Sequence, residues 1–250
     1  MSGHSKWSTI KRQKGANDAK RGNLFTKLGN AITVVVREGG ESPDSNFKLR
    51  LAIEAARAAN MPKDNINRAI DRGSGKGNDK PLEELTYEAY GPCGVALMVD
   101  TVTDSRQRTG ASLRSLIERA GGSLGGVGSV AWMFKPMGEI EVLKEDRSFD
   151  DIMLVSADLG AHDAEEAGDR VLIYTSPNEL ENLKQKLLNS GFQVSRSELT
   201  QRQTNIVRLE DLGKAKQVLD LVDKIEDLED VQKVYANFDI SENVMQRAIV

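Results

Sequence analysis

The sequence predicts an α+β protein: an N-terminal helical module followed by two small α+β domains of β-α-β, ferredoxin-like type, the last inserted in the middle one. Three observations predict it. Apolar residues recur at three-to-four spacing as far as Gly39-Gly40, and from residue 82 the period changes to two. Beyond that point helices and strands alternate in short units, with strands too short and too polar for a doubly wound parallel sheet. At 250 residues the chain can bury several small cores without disulfides.

Leu24, Phe25, Leu28, Ile32, Val35 and Val36 define one amphipathic helix. A second starts after Ser42-Pro43-Asp44 and runs through residues 47–60, with Leu49, Ile53 and Ala56 on one face. A third, short helix follows Met61-Pro62, where proline sacrifices no hydrogen bond and Asp64 meets the positive end of the helix dipole. Residues 73–81, GSGKGNDKP, read as a linker, so the helical domain is expected to span 1–78.

LTYEAYG and VALMVDTVT form a strand pair around the turn Gly91-Pro92-Cys93-Gly94. A helix over residues 105–120 ends at Gly121-Gly122, and SVAWMF (129–134) and GEIEVL (138–143) read as strands. A helix over 148–160, the strand VLIYT (171–175), a helix over 177–190 and the strand FQVSRSEL (192–199) follow. Finally TNIVRL (204–209), a helix over 211–226 and VQKVYANF (231–238) supply a β-α-β unit expected to complete the sheet begun at residue 82. The expected domains are therefore 79–135 together with 204–250, and an inserted acidic domain over 136–203.

The net charge of -4 conceals an asymmetry. Residues 1–80 hold 16 Lys and Arg against 8 Asp and Glu, a net of +8, whereas 81–250 hold 18 against 30, a net of -12. Between Met1 and Lys27, the cations Lys6, Lys11, Arg12, Lys14, Lys20, Arg21 and Lys27 face a single acid, Asp18. A basic module on an acidic body attracts a polyanion at one end, because charges are screened over about 8–10 Å at physiological salt. Trp7 adds an aromatic that can stack on a base, and Ser5, Ser8, Thr9, Asn17 and Asn23 add donors. A solvated tail and an anionic membrane surface are the alternative readings, the latter with no apolar helix face to support it. Arg106, Arg108, Arg114 and Arg119 form a second basic stripe around a helix start, which also reads as an ordinary charged helix face.

Catalytic chemistry finds little purchase. Cys93 is the only cysteine, and His4 and His162 are the only histidines, which excludes a disulfide framework and a Cys-His zinc site. Gly126 to Ala131 fits the loose dinucleotide pattern, but a helix precedes it and a strand follows, the reverse of the required context. Gly75-Lys76 lacks both flanks of a P-loop. His162 with Asp163, Glu165 and Glu166 reads as a polar loop surface rather than a cation site. No cofactor, metal or catalytic residue is expected. No apolar run approaches the length a membrane helix needs, and the N-terminus lacks the apolar centre of a signal peptide, so a soluble cytoplasmic protein with no membrane partner is expected.

Six motifs carry a family resemblance: GHSKW (3–7), KRGNLFTKL (20–28), NMPKDNINRAI (60–70), YGPCG (90–94), TDSRQRT (103–109) and GSVAWMF (128–134). Together they resemble the YebC/PmpR family, and the resemblance extends to DVQKVYANFD at 230–239. The chain departs from the family pattern at Cys93, where glycine is usual, and at Ser105 and Gln107, where asparagines are common. The resemblance implies a helical domain followed by two α+β domains around a cavity, and no catalysis. Members are known chiefly as probable transcriptional regulators that bind promoter DNA. Mitochondrial relatives act as translational activators, and bacterial ones are linked to stalled ribosomes. Carried onto this chain, the resemblance places nucleic-acid contacts at Lys6, Trp7, Lys11, Arg12, Lys14, Lys20 and Arg21, with Arg106 and Arg108 as further contacts. The expected partner is DNA or ribosomal RNA, the latter on the ribosome, and a more remote alternative is a protein-interaction module with the acidic residues 145–169 as its face. The third helix offers Asn65, Asn67, Arg68 and Arg72 to base edges but does not make a convincing helix-turn-helix.

Overall fold

The computed structural model describes residues 18–76 and 81–249. Three helices open it: α1 (Asp18–Gly39), α2 (Phe47–Ala58) and α3 (Lys63–Gly73). Asn46 caps α2 by accepting from the Leu49 N–H at 3.1 Å, while its amide donates to the carbonyls of Val35 (2.8 Å) and Gly40 (2.9 Å). One buried side chain thus closes the end of α1 and starts α2. Leu49, Ile53 and Ala56 are the buried face of α2, as their spacing predicts. They meet Ile32 and Val36 of α1 and Ile66 and Ala69 of α3. α1 and α3 cross closely at Gly73, where a Cβ would lie 2.5 Å from the Thr33 carbonyl oxygen.

The apolar stripe of α1 is wider than one helix face. Val34 lies buried with Leu82 and Val102, on the opposite side from the three-helix core. α1 is therefore clamped between two layers. Asn23 donates to the Asp227 carbonyl at 3.0 Å, Lys27 donates to the Glu226 carbonyl, and Arg37 donates to the Leu82 carbonyl at 3.1 Å.

The first sheet has the order β3 (Ser123–Leu124), β1 (Glu83–Tyr90), β2 (Ala96–Thr103), β9 (Val231–Ala236), all antiparallel. One face carries α4 (Arg106–Arg119) and α7 (Leu212–Glu226), which bury Leu113, Ile117, Val218 and Val222 against Leu97, Val99 and Val234. The second sheet has the order β5 (Asp163–Ala167), β6 (Arg170–Thr175), β4 (Phe134–Leu143), β7 (Val194–Gln203), also antiparallel. α5 (Phe149–Asp158) and α6 (Leu180–Asn189) cover one of its faces through Ile152, Leu180, Leu183 and Leu187. Helices on one face of antiparallel sheets make the chain α+β.

The opposite face of the second sheet is ionic. Arg196 pairs with Glu139 at 2.7 Å and with Glu198, Arg170 pairs with Glu141, and Ser195 donates to Glu141 at 2.7 Å. Glu198 continues the chain across to Lys233 of β9 at 2.9 Å. Behind Lys233, Tyr235 and Thr86 both donate to Asp100, the latter at 2.7 Å. Burial holds the Asp100 carboxyl above its ordinary value, outweighing those bonds and the nearby Lys233 charge.

Four sequence expectations need correction. Of SVAWMF only Phe134 is strand, and residues 131–133 form a 3-10 turn. The cause is Glu88, 6% exposed on β1, whose carboxylate accepts from the N–H groups of Gly128 (2.6 Å), Val130 (2.7 Å) and Ala131 (2.8 Å). Donors clasped by a carboxylate cannot enter a ladder. Residues 163–167 are strand rather than loop, an acid-rich edge that pairs only with β6. Only VQKVYA returns to the first sheet. β8 (Val207–Leu209) instead pairs in parallel with β10 (Phe238–Ile240), because Asn237 takes the Ala96 N–H on its side chain at 2.7 Å and leads the chain out of the ladder. The expected elements also lack α8 (Glu242–Ile249), which sets Val244 and Ala248 against the first core.

The departures from the family pattern have local readings. Ser105 caps α4 through the Arg108 N–H, a role asparagine fills equally well. Cys93 sits at φ 61°, in the left-handed region.

Glycine avoids the left-handed penalty of about 1–2 kcal/mol and costs about 0.5–1 kcal/mol in backbone freedom. Cys93→Gly should therefore raise stability by up to about 1 kcal/mol in urea unfolding. For Glu88, burial raises the carboxyl pKa, but the donors from Val130, Gly128, Ala131 and Ser129 overcome this and hold it below the ordinary range. Its stabilising share is then complete above the unfolded value of about 4.3 and is lost as pH falls through the depressed folded value. Glu88→Gln leaves at least one buried N–H unpaired and should cost about 1–3 kcal/mol at pH 7. The gap to wild type should close below about pH 4; Trp132 fluorescence in a Trp7→Phe background reports the loop.

Candidate nucleic-acid interface

The basic residues named from the sequence fall into three groups. Lys6, Trp7, Lys11, Arg12 and Lys14 lie outside the described residues. Lys20 and Arg21 lie on the first turn of α1. Arg106 and Arg108 begin α4, remote in sequence from the helical module.

The α4 arginines differ in their engagements. Arg106 is exposed and faces Glu83 at 3.6 Å, a solvent-screened pair of little energetic weight. Arg108 grips both oxygens of Asp230, at 2.8 and 3.0 Å, and reaches Asp104 at 2.9 Å. Asp230 also accepts from Thr109 at 2.6 Å, and Thr109 meets Thr103 at 2.9 Å. The Arg108 guanidinium therefore ties the start of α4 to the turn entering β9. Lys27, part of the basic bias that opens the chain, is likewise engaged, at the carbonyl end of α7 where a cation meets the negative end of the dipole.

A feature that the sequence does not announce is a groove of about 540 Å³ between α1 and α3. Phe25, Met61 and Ala69 give it an apolar floor, and Asn30, Asn65 and Arg68 line it together with Arg72 and Lys76. Asn65 accepts from Arg68 at 2.6 Å and Asn30 accepts from Arg72 at 3.4 Å. Three of the four third-helix residues flagged from the sequence converge here, while Asn67 is exposed and does not line the groove. Periodicity within α3 could not show this, because the partner wall comes from α1, with the whole of α2 between them in the chain.

The Glu88 clasp accounts for the glycine-rich motif that resembles a dinucleotide fingerprint. Its N–H groups face an internal carboxylate. Trp132, 63% exposed, leaves the loop with its indole N–H donated to the Ser129 carbonyl at 3.1 Å. The acidic run after His162 is also engaged internally, since Arg202 pairs with Asp163 at 2.6 Å and Glu165 at 2.8 Å. Among the described residues no helix is long and apolar enough to cross a membrane.

Comparison with known proteins gives one answer along the whole chain. Residues 5–76 match the profile described as the TACO1/YebC protein N-terminal domain, and residues 82–238 match the TACO1/YebC second and third domain. Proteins named probable transcriptional regulatory protein are 48% identical in Rubrobacter xylanophilus and 43% identical in Desulfitobacterium hafniense, each over 246 residues and 98% of both chains. A similarly named protein of Chlorobaculum tepidum is 47% identical over 98% of both chains. The crystal structure of a conserved hypothetical protein from Aquifex aeolicus superposes with a TM-score of 0.83 at 40% identity, covering 90% of this chain and 93% of that one. With both profiles matched in order, and relatives aligned almost end to end, the chain belongs to the TACO1/YebC family.

Proposed function

We propose that this protein is a non-enzymatic regulator of gene expression that binds nucleic acid through its basic N-terminal region, in the first instance DNA. The observation that carries the reading is the charge separation, +8 over residues 1–80 against -12 over the remainder. The names of the relatives supply the regulatory role. Lys6, Lys11, Arg12, Lys14, Lys20 and Arg21 are the phosphate contacts in this reading, Trp7 a stacking contact, and Arg106 an accessory cation. Arg108 adds to the local field, but contacting a phosphate directly would compete with its bonds to Asp230.

A second reading, a translation factor on ribosomal RNA, is favoured by one specific observation. Arg68 and Asn65 bond each other along α3 and line a groove against α1, a concave surface rather than a projecting recognition helix. Folded RNA, read by shape and at unstacked bases, suits a concave module better than a major groove does.

Replacing Lys6, Lys11, Arg12 and Lys14 by alanine should weaken binding and flatten its salt dependence by roughly 0.7–0.9 log units per log salt for each phosphate no longer neutralised. An unchanged slope would sink the N-terminal region as the binding element. Co-sedimentation with ribosomes under duplex DNA competition separates the two readings: binding that survives competitor supports the RNA partner, and loss of binding with a preferred DNA sequence supports the promoter. Arg106→Ala should lower affinity slightly and leave the melting temperature alone. Arg108→Ala should do the reverse, costing up to about 1 kcal/mol because it takes away a half-exposed guanidinium paired with Asp230 and Asp104.

A further inference from the structure

We infer that the groove between α1 and α3 holds one unstacked nucleotide of a single strand and prefers bases that carry carbonyl oxygens. The inference rests on the nucleic-acid reading and adds a site to it. A volume of about 540 Å³ lies within the range of small-ligand sites, roughly 300–1,000 Å³, and well short of what a duplex occupies.

Hydrogen-bond polarity in the groove is one-sided. Asparagine ordinarily offers an acceptor and two donors. Here the Asn65 oxygen accepts from Arg68 and the Asn30 oxygen accepts from Arg72, so each amide keeps its NH2 group available as a donor. Asp71, the acid on the lining, is already paired with Lys76 at 3.3 Å. Thr33 spends its hydroxyl inward on the Gly29 and Ala69 carbonyls, at 2.9 and 3.1 Å. Apart from Asp71, whose Lys76 partner is shared with Glu41 at 3.2 Å, the lining offers donors, two of them beside guanidinium groups, above an apolar floor of Phe25, Met61 and Ala69.

A ligand complementary to that surface is flat, rich in acceptors and anionic. A nucleotide has all three properties: an aromatic base for the floor, carbonyl oxygens for the amides and a phosphate for Arg68. Uracil presents two carbonyl oxygens, cytosine and guanine one each, and adenine none. In a duplex the base faces are stacked and uracil O4, cytosine O2 and guanine O6 are paired, so the groove selects single strands. It also lies on the helical module itself, whose helix α1 carries Lys20 and Arg21 on its first turn.

The test uses the full-length protein and labelled ten-nucleotide oligo(U) and oligo(A), a duplex DNA of matched length, and uridine monophosphate as competitor. Thr26→Phe places a ring in the groove from an exposed position, and Asn65→Ala removes one donor; circular dichroism confirms that both fold. Wild type should bind oligo(U) several-fold more tightly than oligo(A). Each variant should lose about tenfold on oligo(U), the order of one stacked base, with duplex affinity and its salt slope unchanged. If the duplex and both oligonucleotides bind with a normal salt slope but the variants behave as wild type, the groove falls and the nucleic-acid reading stands. Failure of wild type to bind any of the polymers overturns both. Equal affinity for oligo(U) and oligo(A) overturns the base preference. Competition by uridine monophosphate at concentrations near those of the oligonucleotide would assign the groove to a free nucleotide and overturn the strand.

Discussion

The placement of α1 is the constraint on which the rest of the molecule depends. The helix is buried on two sides, toward α2 and α3 through Ile32 and Val36, and toward the first sheet through Val34. An apolar face alone would let it slide or rotate. The polar bonds at its ends remove that freedom: Asn23 and Lys27 meet the last carbonyls of α7, and Arg37 meets Leu82 where the chain enters β1. Helix carbonyl ends carry a partial negative charge of about half an electron, so the ammonium at Lys27 gains from position as well as from its hydrogen bond. The basic start of α1 is thereby held at a fixed orientation to the acidic sheets. A charge asymmetry that is only compositional in the sequence becomes directional in the fold.

The two sheets meet through charge as well as through the apolar contact of Phe134 with Ala96, Met98 and Tyr235. Arg170, Glu141, Arg196, Glu198 and Lys233 form a continuous ionic chain from β6 to β9. Such pairs repay poorly in stability, because each ion surrenders hydration worth several kcal/mol. They do specify geometry, since any sliding of β7 along β9 would strand a half-buried charge. The neighbours respond accordingly. Burial pushes Glu141 up, but Ser195 and the two arginines outweigh it and leave it below its usual range. Asp100, held by Thr86, Tyr235 and the Lys233 charge, stays above its own because burial outweighs them.

Much of this was legible in the chain. The face Leu49, Ile53, Ala56 follows from spacing, and the β1-β2 hairpin from its alternation and its turn. Several of the illegible parts share a physical cause, which is that a distant group decides them. Residues 129–133 have the composition of a strand, and Glu88, on a strand far earlier in the chain, takes the N–H groups of Val130 and Ala131. TNIVRL has the pattern of a sheet strand, and Asn237 diverts its partner out of the ladder. β5 is acid-rich and weakly β-forming, and it is strand because β6 offers it an edge. The groove escapes notice for the same reason, its walls being two helices whose facing residues no periodicity connects.

Single arginines are therefore poorer guides to an interface than the charge balance of the segment that holds them. Arg108, Arg196 and Arg202 would each count toward a basic patch on composition, yet each is matched by two or more carboxylates within a few ångströms. A cation paired at that distance contributes a dipole, whose field fades faster with distance than that of a lone charge. The excess of +8 over residues 1–80 cannot be cancelled by pairing within that segment, which has only half as many acids as bases. Its field extends outward until salt screens it, over about 8–10 Å. A charge count over a segment survives folding because pairing inside the segment leaves its sum unchanged, whereas the availability of one cation depends on whichever carboxylate the fold brings to it.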